Sequence, residues 1–96
     1  MPRVVFGARA LHDLERIAGF RASDDPGAAE KTIETILGAV AILARHPLIG
    51  RPARGTMREL VISSGATGFV ALYRHRPVLD RVEILAVRHQ REAGFA

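Results

Sequence analysis

The stretch from Arg58 to Glu92, RELVISSGATGFVALYRHRPVLDRVEILAVRHQRE, decides the fold. It reads as consecutive short β-strands, each apolar in its middle. Met57–Ser63 alternates, with Leu60 and Ile62 on one face. Phe69–Arg74 is almost wholly apolar, as expected of a central strand. Arg81–Arg88 alternates again, with Val82, Ile84 and Ala86 facing one way and Glu83, Leu85 and Val87 the other. The turns between them, Ser63–Gly68 and His75–Asp80 with its Pro77, are short, so the pairing is antiparallel. A hairpin is marginal in water, and even three strands need a covering layer. The first half of the chain supplies it.

Leu11, Leu14, Ile17 and Ala18 repeat with helical spacing and predict a helix over Ala8–Phe20, fraying or continuing to about Arg21. Arg9, Asp13 and Arg16 fall on its other side. Ser23-Asp24-Asp25-Pro26 is a start signal, with Asp25 as cap and Pro26 at the first helical position. The second helix carries Ala29, Ile33, Ile36, Leu37, Val40, Leu43 and Ala44 and ends near Arg45, because Pro47 biases His46 away from helical geometry. At about 1.5 Å per residue it spans roughly 30 Å. The two helices form an antiparallel hairpin on one face of the sheet. Arg3–Phe6 reads as a short edge strand. His46–Thr56 is a loop that Leu48 and Ile49 pin to the core. The expected class is α+β in a single domain over residues 1–96: an N-terminal strand, a helix hairpin, then a three-stranded antiparallel sheet.

With 96 residues and no cysteine, the chain has no disulfide and no thiolate metal site. No apolar run reaches the roughly 18 residues that span a bilayer, and the apolar part of the N-terminus is too short for a signal peptide. A cytoplasmic protein without membrane contact is expected. Residues 1–44 hold five basic and six acidic residues, and residues 45–96 hold nine arginines and four acids. Arginine's fork suits phosphate and carboxylate, so the second half favours an acidic or polyanionic partner.

Histidines 12, 46, 75 and 89 lack ligand spacing, so no metal is expected. Nucleotide fingerprints and a serine elbow are missing, so no cofactor is expected either. What remains is a set around the sheet: Arg58, Glu59, Tyr73, Arg74, Arg88, His89, Arg91 and Glu92. Arginines beside His89 would favour its neutral form, which could act as a base. The plainer reading is a solvated basic rim with Arg58–Glu59 and Arg91–Glu92 ion pairs.

Five segments taken in order resemble the RelE/ParE toxin superfamily of type II toxin–antitoxin modules: DPGAAEKTIETI at 25–36, LARHPLIGRP at 43–52, RELVI at 58–62, GFVALYR at 68–74 and VEILAVRHQRE at 82–92. The resemblance covers essentially the whole chain and is similar in detail to the ParE-like branch, the plasmid stabilisation proteins. It implies a growth-inhibiting toxin that poisons DNA gyrase and is restrained by a cognate antitoxin from an adjacent gene, with DNA reached only indirectly through the antitoxin. Arg58, Arg74, Arg88, His89 and Arg91 are then the expected target-binding residues, and the antitoxin's seat is unassigned. The other branch, ribosome-dependent mRNA endonucleases, would make His89 the base, with Arg58, Arg88 and Arg91 on phosphate. Against it, Phe95 stands where many nucleases place a tyrosine, and Lys31 is the only lysine in the chain. A third possibility is an inactive interaction module of the same fold.

Overall fold

The computed structural model describes residues 1–64 and 67–91. Its elements are β1 (Arg3–Phe6), α1 (Ala8–Asp24), α2 (Pro26–Ala41), β2 (Arg51–Pro52), β3 (Met57–Ser64), β4 (Thr67–Arg76) and β5 (Arg81–His89). The strands form one five-stranded sheet in the order β1-β5-β4-β3-β2. β3, β4 and β5 pair antiparallel as expected, whereas β1 lies parallel to β5, from Arg3 opposite Arg81 to Phe6 opposite Ile84. A parallel neighbour needs a long crossover, and the helix hairpin begins it. The loop also adds a strand that its composition hides: Arg51–Pro52 pairs with Glu59–Arg58. A proline is tolerated there because this is an edge.

Both helices begin where local chemistry places them. Gly7 ends β1 and precedes α1, and the Asp25 side chain accepts the Gly27 N–H at 3.0 Å to cap α2 behind Pro26. α1 continues past its expected end, to Asp24, carrying Gly19 inside it. α2 stops at Ala41 and tightens into a 3-10 turn over Ile42–Ala44.

The buried faces differ from the expected stripes. In α1 the residues against the sheet are Ala10, Asp13, Leu14 and Ile17, and Leu11 is 50% exposed. In α2 they are Thr32, Ile36 and Val40, with Leu43 beyond, and Leu37 is 42% exposed. Each helix is turned so that a polar side chain, Asp13 or Thr32, enters the interior while a leucine leaves it. The reason for Asp13 is visible: its Oδ2 accepts the Val87 N–H at 2.9 Å. Gly7 N–H bonds the Ile84 carbonyl where β1 ends, and beyond that point no residue of β1 pairs with β5. A carboxylate from α1 therefore satisfies a backbone donor that the sheet leaves over.

β5 carries a bulge. Tyr73 faces Ile84 and Leu72 faces Ala86, so Leu85 is unmatched. The extra residue breaks the simple alternation. Val82, Ile84 and Val87 join the core under the helices with Phe69, Ala71 and Tyr73, and Ala86 is buried outside that cluster. Leu48 and Ile49 are exposed rather than pinned to the core.

Candidate functional site

Arg58 holds the loop that the leucine and isoleucine do not. Its Nη1 donates to the carbonyls of Gly50 at 2.8 Å and Leu48 at 3.2 Å. Gly50 N–H in turn donates to the buried Tyr73 hydroxyl at 2.8 Å. Burial pushes the Tyr73 phenol up from its ordinary value, against the opposing pull of the Gly50 hydrogen bond and the Arg58 charge. Gly50 has to be glycine: a β-carbon would stand 2.6 Å from the Tyr73 ring and hydroxyl and 2.8 Å from the Glu59 carbonyl. Arg58 is thus a brace for the fold. Its expected partner Glu59 sits on the other face of the strand and pairs with Arg51 at 3.0 Å. The other expected ion pair, Arg91–Glu92, involves a residue outside those described, as does the comparison of Phe95 with a tyrosine.

Arg74 and Arg88 lie on the face of the sheet away from the helices. Arg74 belongs to a cluster around Glu83, whose carboxylate accepts Arg74 Nε and Arg81 Nη2 at 2.7 Å each and meets Arg76 Nη1 at 3.5 Å. The Arg74 hydrogen bond first, and Arg81 after it, hold Glu83 below its ordinary value near 4.5, outweighing the desolvation that acts the other way. The anionic form is therefore favoured by folding. Its contribution is complete above the unfolded value and fades as pH falls through the lower folded one. Glu83→Gln should flatten the acid limb of stability against pH, a result that urea melts between neutral and acid pH will show. Arg88 stands opposite Val70, and its Nη1 lies 3.2 Å from the His89 carbonyl and 3.4 Å from that of Gln90.

His89 points the other way. Its ring meets Phe69 edge-on, with centroids 5.4 Å apart, and its Nδ1 accepts the Arg91 N–H at 3.1 Å. Both residues line a groove of about 480 Å³ with Arg16, Ile17, Phe20, Arg21 and Phe69. Phe20 is 74% exposed at its side. Among the described lining residues, all the ionisable groups are basic.

The five expected site residues therefore fall in three places. Arg58 pairs with Tyr73 and His89 with Phe69, four residues apart along β4, which is roughly 13 Å of strand. Arg74 and Arg88 are on the opposite face from both. Phe20, Arg16 and Arg21 were not singled out by sequence reasoning, because only the packing of α1 over the end of β5 brings them to His89. Among the described residues no group of three or more His, Cys, Asp or Glu side chains could hold a metal ion. No described helix is long and apolar enough to cross a membrane.

Residues 4–94 match the family model described as the ParE toxin of type II toxin–antitoxin system, parDE. The chain is 39% identical to Toxin RelE3 of Caulobacter vibrioides over 96% of its own length and 98% of that protein. It is 38% identical to Putative toxin Y4kP of Sinorhizobium fredii, over 91% of the chain and 86% of that protein. In fold it is similar to a chain of the chromosomal ParDE system from P. aeruginosa, with TM-score 0.78, 22% identity and coverage of 93% and 96% of the two chains. It is also similar to a chain of the toxin–antitoxin complex RelBE2 from Mycobacterium tuberculosis, with TM-score 0.59, 27% identity and coverage of 94% and 100%.

Proposed function

The chain belongs to the family of ParE toxins of type II toxin–antitoxin systems, and from that premise we propose that it arrests growth in the cytoplasm by binding DNA gyrase until an antitoxin from the adjacent gene neutralises it. The observation that carries the choice of a binding poison over a nuclease is the register. General acid–base catalysis, worth typically about 10²–10⁴-fold, needs its groups within hydrogen-bond reach of one reacting centre. Arg58 braces a loop near one end of β4, His89 lies near the other, and Arg74 and Arg88 are across the sheet. A poison needs no such assembly. Messenger RNA cleavage on the ribosome is the second reading, favoured by the relative named RelE3 and the RelBE2 neighbour. His89→Ala discriminates. Induced alone in cells, the variant should arrest growth like the parent. Loss of arrest in a variant that still folds and binds antitoxin would favour the nuclease.

The antitoxin's seat, in this reading, is the groove beside Phe20. Its walls are apolar and its rim is arginine, which suits a disordered acidic segment that folds on contact. Such an interface should exceed about 1,000 Å² in total. Phe20 has the exposure and size of an anchor. Phe20→Glu should leave the melt near the parent's and weaken antitoxin binding more than about tenfold, measured by titration of the purified proteins.

A further inference from the structure

Three arginines stand abreast across one end of the sheet. Arg3 of β1 is level with Arg81 of β5, and Arg81 is level with Arg76 of β4. All three are on the face away from the helices: Val4 and Phe6 pack against the core on either side of Val5, and Arg76 and Arg81 reach Glu83. Arg74 joins them one step inward. With strands about 4.8 Å apart, the row is roughly 10 Å long.

This arrangement works against the sheet. Like charges directly opposite one another destabilise strand pairing. Arg74, Arg76 and Arg81 meet the one Glu83 carboxylate while Arg3 stands beside Arg81, and the four arginines set against Glu83 and the neighbouring Asp80, whose carbonyl accepts the Arg3 N–H, leave a local charge of +2. Arg74 and Arg81 are held to Glu83 at 2.7 Å, Arg76 only loosely at 3.5 Å. Arg3 is exposed and makes no ion pair among the described residues. Backbone register thus sets the row, and Arg3 together with the loosely held Arg76 is the most available to another anion.

We propose that this row binds the phosphodiester backbone of duplex DNA, giving the toxin a direct contact with DNA. A strand of duplex DNA carries one phosphate per roughly 3.4 Å of axis, and successive phosphates stand further apart along the winding backbone, so the row spans about two of them. A phosphate track fits better than an acidic protein segment because the charges are regular and the row lines neither the cavity beside α1 and β5 nor the one between the helices. Val78 and Leu79 protrude from the adjacent turn as single exposed residues and line neither cavity. The contact differs from the sequence expectation that DNA is reached only through the antitoxin, and it does not depend on which target the toxin arrests.

The test is binding of the purified chain to a short DNA duplex, to a single-stranded RNA and to polyglutamate, each over a range of salt. The double variant Arg3→Ser/Arg76→Ser is compared with Lys31→Ser/Arg45→Ser, which removes the same charge from the helical layer on the other face of the sheet. Each lost phosphate contact lowers the salt slope by about one. The row pair should therefore lower the slope by about two and duplex affinity by at least tenfold, the helical-layer pair changing it less than twofold. Arg3→Lys/Arg76→Lys should keep the slope, which separates charge from any loss of folding. Equal losses in the row and helical-layer pairs would overturn the proposal, and so would a loss confined to the RNA or to polyglutamate, the latter marking a surface for an acidic protein. Growth arrest is scored separately, so failure here leaves the toxin reading standing.

Discussion

Ile36→Asp should leave no cooperative unfolding transition, whereas Leu37→Asp, one residue on, should melt within a few degrees of the parent. Ile36 is fully buried against the sheet, and Leu37 is 42% exposed. Truncating a buried isoleucine alone costs about 2–5 kcal/mol. A carboxylate placed there without a partner adds a desolvation cost of several kcal/mol. Together these match the whole stability of a domain of this size, about 5–15 kcal/mol. At position 37 the carboxylate stays in water and the loss is that of a partly exposed leucine. Circular dichroism melts of both variants decide it. A cooperative melt for Ile36→Asp near the parent's temperature would mean that the buried face of α2 is misassigned.

The second large effect is expected at Asp13. Asp13 is 7% exposed, and its carboxylate accepts the Val87 N–H at 2.9 Å. Arg9 and Arg16 lie 3.9 and 3.7 Å from its oxygens, too long for strong bonds but enough to balance the charge. Asp13→Leu removes the acceptor and leaves a buried donor unpaired. A lost hydrogen bond to a charged group is worth about 1.5–3 kcal/mol, and an unsatisfied buried donor costs about 1–3 more, an overlapping term. A loss near 3 kcal/mol lowers the melting temperature by roughly 12–24 °C in a domain this small. Asp13→Asn keeps an acceptor oxygen and should recover most of that loss. If the leucine variant melts as high as the asparagine one, the carboxylate is not what completes the edge of β5.

The antiparallel run of β3, β4 and β5, the helix hairpin and the Asp25–Pro26 start of α2 were legible because each rests on local signals: periodicity, short turns and a capping side chain. The faces of the helices were not. α2 has apolar residues around more than half its circumference, so hydrophobicity alone does not say whether Thr32 or Leu37 turns inward. Asp13 was read as an outward residue because the backbone donor it serves lies 74 positions along the chain. The bulge at Leu85 is equally silent in sequence, and it sends Val87 into the core against the alternation. The candidate site suffered most. Arginines at strand ends are visible as a list, but cross-strand register decides that Arg58 braces a loop, that Arg74 serves Glu83, and that His89 turns toward Phe20.

The most direct measurement follows the first minutes after the chain is induced alone, reading plasmid supercoiling with DNA breaks and messenger RNA 5′ ends in the same cultures, with and without the adjacent antitoxin gene. A gyrase poison should cause loss of supercoiling and DNA damage before any new RNA ends, both prevented by the antitoxin. New RNA ends appearing first, with supercoiling intact, would contradict the gyrase reading.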